Sequence, residues 1–436
     1  MHRQHRQRFL ELLAKTDSAA VIATGSAPRR NGDSDYAFRP ESDFHYLTGF
    51  GEPDAILVLL PNAAEHKSVL FLRERDALQE IWNGRRLGVD RAPAALGVDR
   101  ALSIEEFWST LPELLEEHAQ LVYNLGHDAD RDREMQDLVN DLRSDARRGE
   151  VLPTHITPPD ENLHELRLFK SEAEIECMRK AASLAVEAHK RAMVAAEPGM
   201  NECELHALIE YTFKSQGSPG PAYDNIVAGG DNACILHYIL NDQELKDGEL
   251  VLIDAGAEWN YYASDVTRTF PVNGHFSEDQ RALYGIVLKA QLAGIAEVRP
   301  GSDAGAVGSA ALDILLDGLI ELGLLQGTRA ENIESGDYKR FYMHGIGHWL
   351  GLDVHDCGAY GSKQDPRAFE PGMVTTVEPG LYIAADDESV DVRWRGIGIR
   401  IEDDILVTED GHEVLSSGLP SDPDAIEALC AASSID

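Results

Sequence analysis

The chain has 436 residues, 43% of them hydrophobic, which suits two globular domains better than one. Its 76 acidic and 39 basic side chains leave a formal net charge of −37, so polyanions would be repelled and no nucleic-acid partner is expected. No apolar run is long enough to cross a bilayer, and the five scattered cysteines suggest neither a disulfide framework nor a zinc knuckle, which points to a reducing cytoplasm without a membrane partner.

The opening MHRQHRQRFLELLAK reads as a surface helix near 2–15, since it lacks the continuous apolar core of a signal peptide. Apolar, β-rich runs follow at AAVIAT (19–24), AILVLLP (55–61), SVLFL (68–72) and LVYNL (121–125), with helical patterns near 103–117 and 130–147. Residues 149–166, rich in proline, histidine and acids, have no period and read as a linker. Ser171 and Glu174 form a capping-box pattern that starts a long helix, and Pro198-Gly199 stops it. A helix near 201–216 comes next, then strands near 224–228, 249–257 and 264–272. Helices near 277–298 and 303–324 and strands near 373–383 and 397–408 complete the chain.

In LVLIDAGAEWNYYASDVTRTFPV (250–272), two apolar strands each carry a carboxylate, Asp254 and Asp265. A loop centred on Trp259-Asn260 would set them directly opposite, with Cβ atoms about 5 Å apart. Carboxylates that close repel and resist burial, so either one holds a proton or a cation lies between them. Strand-end aspartates that cap turns are the plainer alternative. Glu378 sits among apolar neighbours before a Pro-Gly turn, and alternation over GIGIRIEDDILV sets Arg400, Glu402 and Asp404 on one strand face. Asp404 is expected to matter little there. MHGIGHWLGLDVHD (343–356) adds His344, His348 and His355, with Gly345, Gly347 and Gly351 admitting close backbone approach. Several oxygen ligands with a single imidazole, His348, suit Mn²⁺, Co²⁺ or a two-metal hydrolytic site better than a structural zinc. His344 and His355 would then contact substrate or support the ligands.

The pieces NIVAGGDNACILHY, IDAGAEWNYYASDVTRTFPV, HGIGHWLGLDVHDCG, EPGMVTTVEPGLYI and RGIGIRIEDDILVT resemble the metallopeptidases of the pita-bread fold, and within them the aminopeptidase P family. FRPESDFHYLTGF and EIWNGRRLG extend the resemblance into the first half. It implies an α/β N-terminal domain (1–165) followed by an α+β pita-bread catalytic domain (166–436). It implies five ligands to two divalent ions, foremost Mn²⁺ with Co²⁺ or Zn²⁺ as alternatives. Asp265 and Glu402 bridge, Asp254 completes one ion, and His348 and Glu378 complete the other. The intact set speaks against the creatinase branch. The resemblance also places His237, His344 and His355 around the substrate and makes Glu378 a proton shuttle. Arg400 orients a ligand carboxylate, Tyr382 donates a hydrogen bond near the substrate, and Trp82 approaches an active site, its own or that of a neighbouring subunit. The implied activity releases the first residue from peptides with proline second, in a homo-oligomer (dimer or tetramer). A prolidase that cuts only Xaa-Pro dipeptides, or a binding protein on the same scaffold, are the alternatives.

Overall fold

Strand β1 (Ser18–Thr24) is short-chained, β-branched and buried almost throughout. It pairs antiparallel with β2 (Ala55–Leu59), β2 antiparallel with β3 (Ser68–Leu72), and β3 parallel with β4 (Arg100–Ser103). On the other edge β1 runs parallel to β5 (Gln120–Tyr123), and β5 to β6 (His155–Thr157). The result is a mixed sheet ordered β4-β3-β2-β1-β5-β6. Burial on both faces explains why β1 to β3 read as unbroken apolar runs. Helix α1 (His2–Lys15) buries Phe9 and Leu13, and its Arg6 donates to the Leu47 carbonyl of α2 (Ser42–Thr48) at 2.6 Å. Helix α3 (Ala77–Asn83) buries no residue. Phe107, Leu111 and Leu115 of α4 (Phe107–Leu115) and Met135 and Val139 of α5 (Ala129–Asp145) share a core with Val21, Val58 and Phe71.

The structure is a computed structural model that describes residues 1–145, 151–362, 364–432 and 434. It divides into two compact units, Met1–Arg167 and Leu168–Asp436. The expected linker at 149–166 is largely ordered structure: it holds β6 and a π-helical turn over Asp160–His164. A three-residue edge strand is too short to show a period, which is why composition hid it. The part of that stretch, and of the preceding helix, that falls on 146–150 lies outside the described residues. No helix among the described residues is long and apolar enough to cross a membrane.

In the second unit, α6 (Glu172–Ala195) begins at the expected capping box, where the Ser171 N–H donates to Glu174 at 2.8 Å. Helix α7 (Glu202–Ser215) precedes β7 (Ile226–Gly229), β8 (Leu250–Asp254), a small ribbon of β9 (Glu258–Trp259) and β10 (Tyr262–Ala263), and β11 (Thr267–Pro271). After α8 (Glu278–Glu297) and α9 (Ala304–Glu321) come β12 (Val374–Val377), β13 (Gly380–Ile383), β14 (Ile397–Arg400), β15 (Asp403–Thr408) and β16 (Gly411–Val414). They form the sheets β11-β8-β7 and β12-β15-β16 and the ribbon β13-β14.

Two sequence expectations shift here. The hairpin turns at Asn260-Tyr261, both with positive φ (50° and 70°), one position later than expected. Asp254 therefore pairs with Thr267, and Asp265 lies two residues along on the same face, a diagonal neighbour instead of a direct partner. The two long strands expected at 373–383 and 397–408 are each broken, at Glu378-Pro379 and at Ile401-Glu402. Proline has no N–H for a ladder. The freed backbone groups bond across to other segments: Glu378 N–H to the Ile346 carbonyl at 2.8 Å, and Glu402 N–H to the Thr267 carbonyl at 3.1 Å.

The loop before His348 needs its glycine. A Cβ on Gly347 would lie 2.0 Å from the Thr376 carbonyl oxygen of β12, whereas Gly345 meets nothing within 4 Å. Backbone cannot yield as a side chain does, so Gly347→Ala is expected to destabilise the metal-free protein by about 3 kcal/mol. Urea unfolding measures this, and wild-type stability would contradict the packing described.

Candidate metal centre

The strand breaks leave four carboxylates outside the ladders or at their ends, around a cavity of about 370 Å³. Its wall holds Asp254, Asp265, Glu378, Glu402, His348, His237, His344, His355 and Arg400, together with Leu236, Gly345 and Gly347. Ligand atoms of Asp265, His348 and Glu402 lie within 4.8 Å of one another. His348 Nε2 is 3.3 Å from Asp265 Oδ2 and 3.7 Å from Glu378 Oε1. Its other nitrogen, Nδ1, bonds the Trp349 carbonyl at 3.0 Å, and that carbonyl can only accept. That bond fixes a proton on Nδ1 and leaves Nε2, turned towards the acids, as the atom that holds a second proton in the protein alone or would bind a metal ion.

The acids are held apart by a network of neutral and cationic donors. Tyr223 Oη stands between Asp254 and Asp265, 2.5 and 2.6 Å from their Oδ1 atoms. Arg400 donates to Asp254 at 2.5 Å, to Tyr382 at 3.2 Å and to Thr267 Oγ1 at 3.2 Å. The Thr267 hydroxyl in turn donates a hydrogen bond to Glu402 Oε2 at 2.7 Å. Since Tyr382 accepts from Arg400, its hydroxyl proton points to His344 Nε2, 2.8 Å away, and His344 Nδ1–H donates to the Gly345 carbonyl at 2.7 Å. His344 is therefore neutral, and burial pulls its pKa down to about 4, helped by Arg400.

Electrostatics shows what the cluster lacks. Burial, then repulsion from Asp265, Glu378 and Asp254, pushes the Glu402 carboxyl well above its ordinary range. Burial also raises Glu378, to about 7, and Asp254, against the pull of Arg400. Asp265 goes the other way: burial opposes ionisation, but the hydrogen bond and charge of His348 prevail and its pKa falls. Burial lowers the basicity of His348, yet Asp265 and Glu378 carry it to about 9. In the protein alone the imidazolium thus acts as the missing cation. A divalent ion among these oxygens would relieve the same repulsion and return His348 to its neutral ligand form. The donor set, four carboxylates and one imidazole with its outer nitrogen satisfied, fits such ions.

Nine of the eleven residues expected from the sequence line this cavity. Tyr382 stands behind the wall, 2% exposed, and reaches the cavity through His344 and Arg400. Trp82 lies in the first unit on α3 and is 83% exposed. His237 and His355 are exposed at the cavity, and the His355 ring packs 4.1 Å from that of His348. Three contributors were missed. Thr267 was findable, since it lies two residues past Asp265 on the same strand face. Tyr223 lies before β7 and reaches the acids only through tertiary packing. Asp404, taken as a bystander, is 1% exposed, and both its oxygens accept the Asp265 N–H, at 3.1 and 3.2 Å.

Comparison with known proteins assigns the chain to a family. Residues 176–409 match the family described as Metallopeptidase family M24, and residues 2–123 match the one described as Aminopeptidase P, N-terminal domain. The chain belongs to the M24 metallopeptidases, with an aminopeptidase P N-terminal domain joined to a pita-bread domain. It is 46% identical to the Xaa-Pro aminopeptidase of Escherichia coli (strain K12) over 430 residues, 98% of this chain and 97% of that one. Among solved structures it is similar to Pseudomonas aeruginosa aminopeptidase PepP, with a TM-score of 0.95, 46% identity and coverage of 99% and 98% of the two chains. Proline aminopeptidase P II from Yersinia pestis gives a TM-score of 0.94, 47% identity and coverage of 99% and 100%.

The Asp404 contact makes a measurable claim. Asp404→Ala frees the Asp265 backbone, and metal affinity is expected to fall about 10–100-fold. Asp404→Asn keeps an accepting oxygen and should retain most of it. Chelator competition reads both variants, and wild-type affinity in Asp404→Ala would show that Asp265 needs no such support.

Proposed function

We propose that this chain is a Xaa-Pro aminopeptidase, releasing the first residue from peptides with proline second. The observation that carries the reading is the single cavity in which the whole ligand set meets three further histidines. Its resemblance to aminopeptidases P along nearly the full chain supports it. Asp265 and Glu402 would lie between two divalent ions, with Asp254 on one and His348 and Glu378 on the other. Bound there, such ions supply an acidified water as nucleophile and Lewis acidity at the scissile carbonyl. Mn²⁺ is the proposed ion, since four of the five ligands are carboxylates, with Co²⁺ and Zn²⁺ as alternatives.

The chain's own residues do the rest. The acidic wall draws in the positively charged free N-terminus of a peptide. Arg400 keeps Asp254 ionised and oriented through its 2.5 Å contact. Glu378, whose Oε1 lies beside His348 and whose Oε2 is 3.8 Å from His344, would carry a proton between nucleophile and leaving group. A peptide nitrogen of proline has no hydrogen and must gain a proton as it leaves. His237 and His355, exposed on the wall, are the candidate donors and contacts for the developing tetrahedral centre. His344 acts with its Tyr382 proton, so Tyr382 contributes through His344.

We further propose a homo-oligomer in a reducing cytoplasm. On α3, Leu78, Ile81 and Trp82 are 73%, 75% and 83% exposed, an apolar face suited to another copy, where Trp82 would approach an active site. All five cysteines are free.

Three single substitutions separate the roles. His344→Ala and His355→Ala are expected to keep their metal and lose about 10²–10³ in turnover. His348→Ala is expected to lose metal occupancy by elemental analysis, and equal metal loss in all three would contradict the division. The substrate reading is tested with Xaa-Pro-Yaa tripeptides and Mn²⁺. Cleavage should release Xaa, slow greatly with alanine second, nearly vanish on N-acetylation and be poorer on dipeptides. Cleavage of the Xaa-Pro dipeptide alone would make the chain a prolidase.

A further inference from the structure

Outside the cavity, one buried ion pair has no place in the account above. Lys170 Nζ lies 3.1 Å from Asp356 Oδ2, and both side chains are only 1% exposed. Replacing such pairs with apolar residues is often neutral or stabilising, so the position of the pair is more telling than its energy. Asp356 directly follows His355, and its N–H donates to the carbonyl of Trp349, the residue directly after His348, at 2.9 Å. That bond closes the loop 349–356 and sets His355, near its end, against His348, just before its start, with ring centroids 4.1 Å apart. The ion pair locks the closure. The Lys170 backbone is itself fixed, its N–H donating to the Gly372 carbonyl at 2.8 Å. The loop is cut to admit the carboxylate: a Cβ on Gly351 would lie 2.1 Å from Asp356 Oδ2 and 3.0 Å from Lys170 Cε. Gly351 in turn accepts from Ala263 N–H at 2.8 Å, two residues before Asp265.

We propose that Lys170, through its buried pair with Asp356, is a positioning residue that holds His355 in register with His348 at the cavity wall. Neither residue of the pair lines the cavity. Its effect on turnover runs through His355, so this inference rests on the substrate-contacting role given to that histidine above.

The test is a double-mutant cycle read in two ways. Asp356→Asn keeps shape and removes the charge; the swap Lys170→Met with Asp356→Leu serves if the single variant does not fold. Either is expected to lower kcat at least about tenfold while Mn²⁺ affinity stays within a few fold. Placed on His355→Ala, either should lower kcat no further, because the group it positions is gone. A merely structural pair would lower both backgrounds alike, and that additivity, or wild-type kcat in the altered pair, would overturn the proposal. The second readout needs no metal or activity. Imidazole NMR of the metal-free protein should show His355 and His348 shifted by the substitution, with His412, bonded to the Val298 carbonyl, unchanged. Unshifted rings overturn the positioning claim. Wild-type turnover in His355→Ala alone would instead remove the substrate-contact reading, leaving the NMR result to decide the geometry.

Discussion

Repulsion among buried acids organises the second unit. Asp254, Asp265 and Glu402 are at most 8% exposed, and Glu378 shares their cavity. Carboxylates in such surroundings cannot all ionise without compensating charge. The protein supplies part of it through Arg400 and His348, and part of the hydrogen bonding through Tyr223 and Thr267. The remainder must come from protons held by the acids or from cations. Arg400 is always charged, and it orients the hydroxyls of Thr267 and Tyr382.

The fold meets this demand with backbone. Broken strands would ordinarily leave unpaired groups, which are costly when buried. Here the segment bearing one ligand satisfies the segment bearing another. Ile346 accepts from Glu378, Thr267 from Glu402, and His348 from Thr376 at 2.9 Å. The candidate ligands therefore come from loops and strand ends distant in sequence, and the backbone of each segment is held by another.

Much of this was legible in the sequence because its signals were local. The capping box at Ser171, the apolar runs of the first sheet and the acids within glycine-bounded strands each announce themselves within a few residues. The ligand set itself was assigned by resemblance. The rest depended on register and distance. A turn one residue later moved Asp265 from a direct to a diagonal partner of Asp254, since cross-strand pairing follows the turn. The breaks at Glu378 and Ile401 were read through because apolar residues resume on either side of each, although Pro379-Gly380 marks the first. Alternation set Asp404 on the face of Glu402 but gave it no partner, because the Asp265 N–H that it accepts comes from far away in the chain. Tyr223 reaches Asp254 across 31 residues of chain, and Lys170 reaches Asp356 across 186.

The most direct test of the cation requirement is titration of metal-free protein with Mn²⁺ while stability is followed. Ions that bind the folded state alone raise its stability by RT ln(1 + [L]/Kd). The account predicts two ions bound per chain and a melting temperature that climbs with Mn²⁺ concentration. In Glu402→Gln, both the uptake and the climb should be largely lost. A metal-free protein that binds no ion at the cavity and melts at the same temperature with or without Mn²⁺ would contradict it.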